Sequence, residues 1–99
     1  MYVVMNRFTL NPGHHEAFED RWRNRESHLK GVPGFIRFRL LRLDETHYSS
    51  YVEWTSEAHF VDWTQSEAFR AAHARASLPE GTLAGPNQLE RWEVILEQA

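Results

Sequence analysis

What most limits the fold of this chain is the order in which its hydrophobic period switches between two and about three and a half. Tyr2 to Leu10, "YVVMNRFTL", is rich in β-branched and aromatic residues and alternates, with Tyr2, Val4, Asn6, Phe8 and Leu10 on one face. It predicts a first strand. After the turn residues "NPGH", Phe18, Trp22, Arg25 and Leu29 recur at helical spacing, predicting a helix from about His14 to Lys30 that Gly31 and Pro33 end. In "FIRFRLLRL" the period returns to two, with Ile36, Phe38 and Leu40 alternating with Arg37 and Arg39. A phase slip at Leu40-Leu41 there calls for a β-bulge or twist. Beyond "DETH", "YSSYVEW" puts Tyr48, Ser50, Val52 and Trp54 on one face, a hairpin partner for the second strand.

Thr55 and Ser56 can cap a short helix reaching Trp63, and Thr64 with Glu67 fits a capping box. The chain is therefore expected to break and restart as a helix from about Gln65 to Ser77. "LPEGTLAGPN" reads as a loop, and "QLERWEVILEQ" as a fourth strand with Trp92, Val94 and Leu96 on one face. The order β-α-β-β-α-β, its second crossover split, is the ferredoxin-like α+β arrangement in one domain, residues 1–99. Such a sheet packs helices on one face only. The other face is expected to carry Val3, Met5, Tyr51, Leu89 and Ile95 among Arg7, Glu53, Arg91 and Glu93, apolar enough in patches to predict a homodimer.

Charge narrows the function classes. Eleven basic residues are scattered among 14 acidic ones for a net charge of −3, which leaves no footprint for a nucleic-acid backbone. No apolar run approaches membrane-spanning length, and "MYVVMNRF" lacks the pattern of a secretory signal, so a cytoplasmic protein without membrane contact is expected. The absence of cysteine fits a reducing compartment and leaves only His, Asp or Glu for any metal. No G-x-S-x-G, G-x-G-x-x-G or P-loop is present.

Several residues sit where packing alone does not explain them. Asn6 interrupts an apolar stripe, and burying its amide unpaired would cost roughly 1–3 kcal/mol, so it either bonds to nearby backbone or water or serves as a donor in a pocket. On the last predicted helix, Ala68, Phe69, Ala72 and Ala76 share an arc of roughly 100°, and His73 lies about 40° beyond Phe69. That edge position suits either a half-buried histidine bonded to a carbonyl or a ligand reaching a cavity, which small Ala72 and Ala76 would open to a flat molecule. Trp63 reads as helix-junction filler or as a pocket wall. Arg25, amid Phe18, Trp22 and Leu29, either snorkels to water or holds a carboxylate at a pocket rim, and Arg21, one turn earlier, can do likewise. The other five histidines do not form a metal set, which disfavours zinc.

Asn6 in a first strand, "PGF" at Pro33 to Phe35 opening the second, and "WTQSEAFRAAH" from Trp63 to His73 together resemble the IsdG-type haem-degrading monooxygenases of the antibiotic biosynthesis monooxygenase (ABM) superfamily. The likeness runs over nearly the whole chain, and its specificity lies in the trio. The resemblance implies that His73 is the proximal iron ligand, that Trp63 presses on the porphyrin, and that Asn6 hydrogen-bonds on the distal side. It also implies further haem contacts from Trp22, Arg21, Arg25 and Phe69. Trp22 departs from the smaller aromatic expected at its position, which puts the pocket width in question.

In that family haem is both cofactor and substrate: O2 is activated and the ring opens to a bilin-type product with release of iron. Nothing in the sequence resembles a flavin or nicotinamide site, so an external electron donor, a separate reductase or a small reductant, is implied. The family is also implied to form a homodimeric α+β barrel. Two other readings use the same pocket: a cofactor-free monooxygenase of an aromatic or quinol substrate, and a non-catalytic haem-binding protein. The ring carbon attacked and the fate of the excised carbon are not legible.

Overall fold

The computed structural model describes residues 1–25, 27–74 and 78–99. Strand β1 (Tyr2–Thr9) is followed by helix α1 (His15–Asn24), strands β2 (Phe35–Asp44) and β3 (His47–Trp54), helices α2 (Glu57–Thr64) and α3 (Glu67–Ala74), and strand β4 (Gln88–Glu93). The strands form one antiparallel sheet in the order β2-β3-β1-β4. This is the ferredoxin-like α+β architecture, with α2 and α3 as the divided second crossover.

The even-numbered residues of β1 face the helices and feed two core clusters. Tyr2 and Val4 pack with Leu29, Trp54 and Phe60, whereas Phe8 and Leu10 pack with Phe18 and Tyr48. Asn6 falls between the two, so the apolar stripe of the central strand is interrupted where the clusters part. Gly34 of the "PGF" stretch is a positive-φ residue at +82°, a conformation that costs a side chain dearly, and an added Cβ would run into the His59 ring. Its carbonyl accepts from Thr55 N–H at 2.8 Å, tying the start of β2 to the end of β3.

The structure departs from the sequence reading at several points. Helix α1 ends at Asn24, because Arg25 turns extended (φ −74°, ψ 149°) in a stretch whose Asn24, Ser27 and His28 are weak helix formers. The register of β2 against β3 is regular through Leu40 and Leu41; its irregularities lie between Phe35 and Arg37 and between Arg42 and Asp44, at the two ends of the strand. Helix α3 is capped by Ser66, whose Oγ accepts from Phe69 N–H at 3.2 Å, while the Thr64 hydroxyl is spent on the Val61 carbonyl at 2.6 Å within α2. Ser56 does cap α2, accepting from His59 N–H at 3.3 Å. The expected continuation of α3 to Ser77, with Ala76, lies outside the described residues.

Strand β4 is shorter than expected, and its phase is inverted. Val4 pairs with Arg91 and Asn6 with Leu89, so Leu89, Arg91 and Glu93 face the helices, while Trp92, paired with Val3, faces away. Arg91 accordingly donates to the Tyr2 hydroxyl at 2.8 Å and to Glu57 at 3.2 Å. Alternation could not choose the parity, since Leu89 is 59% and Trp92 54% exposed and neither declares itself core. On the face away from the helices, Glu53 is buried under Arg37 (2.9 Å) and Arg39 (3.7 Å) and accepts from the Tyr51 hydroxyl at 2.7 Å, which raises the tyrosine pKa.

Candidate functional site

A cavity of about 360 Å³ opens where the two clusters part, between β1, α1, the α2–α3 junction and the loop before β4. Its lining includes Asn6, Phe8, Trp22, Arg21, Arg25, His28, Leu29, Trp63, Ala71, Ala72, His73 and Asn87. Its size, and aromatic and aliphatic walls crossed by six polar side chains, suit an organic ligand that carries polar or charged groups. The structure therefore brings six of the seven residues singled out in the sequence to one cavity. Phe69 is not among its lining residues; it stands behind, its ring 4.9 Å from that of Trp63 and 4.0 Å from that of His73.

Each wall has a local cause. Trp63 ends α2, and the break at Gln65 and Ser66 re-aims the chain: the Ser66 hydroxyl donates to the Trp63 carbonyl at 2.6 Å while capping α3. One seryl side chain thus fixes the end that carries Trp63 against the start of the helix that carries His73. Trp63 is braced by Trp54 at 5.4 Å and Phe60 at 6.5 Å, and its buried Nε1 meets no protein partner. A buried, unpaired indole N–H carries the desolvation cost of a hydrogen bond not made.

His73 lies in the last turn of α3, and its Nδ1 stands 2.8 Å from the Phe69 carbonyl oxygen. A carbonyl can only accept, so Nδ1 carries a proton, and in the neutral ring Nε2 keeps its lone pair. That tautomer is the one a metal-ligating imidazole needs, with the second nitrogen oriented by a backbone carbonyl. Among the described residues no group of three or more His, Cys, Asp and Glu side chains gathers to hold a free metal ion. The donor set offers a single imidazole, which would suit a metal whose other ligands are brought with it.

Opposite, the Arg25 guanidinium lies 4.1 Å over the Trp22 ring and 4.9 Å from that of Phe38, and those two rings stack at 5.6 Å. Burial holds the Arg25 pKa below its ordinary value, although a guanidinium keeps its charge throughout the physiological range. Helix α1 is tied to β2 and β3 by Glu19, which accepts from the Tyr48 hydroxyl and pairs with Arg42 at 3.2 Å, and within the helix with Arg23 at 3.0 Å. The Tyr48 bond, foremost, holds the Glu19 carboxyl below the usual range.

Sequence reasoning missed His28 and Asn87 as cavity residues. His28 was set aside for lack of a metal-binding partner. Asn87 looked like turn chemistry in "AGPN"; only pairing of the next residue, Gln88, with Arg7 brings it beside Asn6.

The family model for antibiotic biosynthesis monooxygenases matches residues 1–75. The chain is similar to a heme-degrading monooxygenase of Halalkalibacterium halodurans, 28% identical over 95% of this chain and 82% of that relative. It is 31% identical to a staphylobilin-producing heme oxygenase of Staphylococcus haemolyticus, over 74% of this chain and 73% of that one. Among solved structures it resembles MhuD, a heme degrader of Mycobacterium tuberculosis with two hemes bound in its active site, at a TM-score of 0.79 and 25% identity, covering 100% of both chains. With its four-stranded antiparallel sheet, divided crossover and inter-cluster cavity, this chain belongs to the antibiotic biosynthesis monooxygenase family.

Proposed function

We propose that this protein is a haem-degrading monooxygenase that takes haem as its substrate. The observation that carries the reading is the convergence of Asn6, Trp63 and His73 on one cavity, with the His73 tautomer that leaves Nε2 as a ligand. The haem-degrading relatives and the haem-bound neighbour support it. When bound, haem supplies an iron at which dioxygen is activated and a porphyrin edge that is oxidised, with electrons from an external donor.

The chain supplies position and polarity. His73, oriented by the Phe69 carbonyl, would hold the iron through Nε2. Trp63, stiffened by Trp54, Phe60 and Phe69, would press on the porphyrin as a firm wall. Asn6 offers its amide to the cavity between the two clusters, whereas the Tyr2 hydroxyl on the same face of β1 is engaged with Glu57. Arg21 and Arg25 line the same cavity and would supply two cations to the propionates of haem. A homodimer formed through the helix-free sheet face, with Trp92 exposed on it, completes the reading. Opening of the ring to a bilin-type product with release of iron is the expected reaction.

The test is aerobic incubation of the hemin-loaded protein with a reductant. Bleaching of the haem bands with appearance of chelatable iron is expected, and it should slow strongly in Asn6→Ala and Trp63→Ala. Binding without bleaching would reduce the protein to a haem carrier, and absence of hemin binding would favour a cofactor-free monooxygenase.

A further inference from the structure

We propose that Asn87 is a positioning residue that decides which end of the Asn6 amide faces the cavity. The inference deepens the reading of Asn6 given above and rests on it for its functional meaning. Asn6 pairs with Leu89 across β1 and β4, so Asn87, two residues earlier, is its diagonal neighbour on the helix-facing side. Two short amides can meet across that diagonal, and they do: Asn87 Nδ2–H donates to Asn6 Oδ1 at 3.2 Å. Both side chains line the cavity.

The backbone that carries Asn87 is held on both sides. Ala84 N–H donates to the Thr9 carbonyl at 2.8 Å, Asn11 Nδ2 clasps the Gly81 carbonyl at 2.7 Å, and Gln88 pairs with Arg7. Asn87 therefore meets Asn6 from a fixed direction. A carboxamide has an acceptor end and a donor end that exchange places on a half-turn of its plane. With Oδ1 taken by Asn87, the Nδ2 end is left, and among the described residues no acceptor meets it. Asn6 is thereby presented to a ligand as a donor. Without Asn87, the amide is free to offer its oxygen instead, which would repel a negatively polarised ligand atom.

Asn87→Asp makes the strongest test, because a carboxylate only accepts: Asn6 must then turn Nδ2 toward residue 87 and Oδ1 toward the cavity. Asn87→Ala removes the constraint without imposing the opposite one. In hemin-free protein, the Asn6 side-chain amide resonances, assigned by their loss in Asn6→Ala, are expected to move downfield in Asn87→Asp and to lose chemical-shift dispersion in Asn87→Ala. In the reduced hemin complex with carbon monoxide, the C–O stretching frequency is expected to rise in Asn87→Asp at least as far as in Asn6→Ala. Asn6 resonances at wild-type positions in both variants would overturn the proposal. If they move as expected while Asn6→Ala leaves the C–O frequency unchanged, the positioning stands and the assignment of Asn6 as a ligand-facing donor fails.

Discussion

Replacing Trp63 separates its two structural debts, the packing it provides and the buried N–H it leaves unpaired. Removing a whole aromatic side chain from a core costs about 3–5 kcal/mol. Trp63 is only half-buried, and truncation also removes an Nε1–H whose desolvation without a partner costs about 1–3 kcal/mol. The net expectation for Trp63→Ala is a loss of about 2 kcal/mol, which for a domain this size lowers Tm by about 8–16 °C. Trp63→Phe keeps a ring against Trp54, Phe60 and Phe69 and discards the N–H, so its loss of packing is largely offset and its Tm should stay within a few degrees of wild type, about 4 °C. Thermal melts of the hemin-free proteins followed by circular dichroism measure both. A loss in Trp63→Phe as large as that expected for Trp63→Ala would refute the argument, because it would show that the indole N–H is satisfied and that its removal brings no gain.

Gly34→Ala should destabilise the fold by about 1–3 kcal/mol through its positive φ, with the clash against His59 added, and a wild-type melt would contradict that account. Asp44 accepts from His47 Nδ1 and Thr46 N–H, each at 2.9 Å, and these bonds, the His47 bond foremost, lower its pKa from 3.8 to about 2. Because the folded value lies below the unfolded one, the stability it contributes is present above pH 3.8 and is lost as pH falls through about 2. Asp44→Asn should therefore flatten the dependence of Tm on pH across that window, and an unchanged slope would show that the turn carboxylate is not the group titrating. Arg25→Ala should weaken hemin binding about tenfold or more, the value of one hydrogen bond to a charged group, in a titration where Trp22→Phe changes affinity by less. Equal affinity in Arg25→Ala would remove the arginine from the cavity mouth.

How far the fold was legible follows from how strongly each residue is constrained. Tyr2, Val4, Phe8 and Trp54 are buried and alternate, so β1 and β3 could be read with their faces correct. Leu89 and Trp92 are both more than half exposed, so nothing in β4 itself announces its parity, and pairing with β1 decides it. The end of α1 was hidden because Arg25, which continues the helical spacing of Phe18 and Trp22, owes its position to an extended backbone and to two aromatic rings, one of them Phe38 on β2. At the site, Asn6 and His73 stood out because each is a polar residue on an apolar stripe. Asn87 did not, since a loop asparagine after Gly85-Pro86 needs no explanation until a neighbouring strand brings it to Asn6. Resemblance to a family supplied the link between Asn6, Trp63 and His73; the cavity they share lies where the two core clusters part at Asn6.

The central claim is that His73 Nε2 is the group that takes the iron of haem. Titration of the purified protein with hemin, followed in the Soret region, tests it most directly when wild type and His73→Ala are compared with and without added imidazole. The account predicts a Soret band distinct from that of free hemin in wild type, its loss in His73→Ala, and its return when imidazole fills the vacated position. An unchanged band in His73→Ala would contradict it.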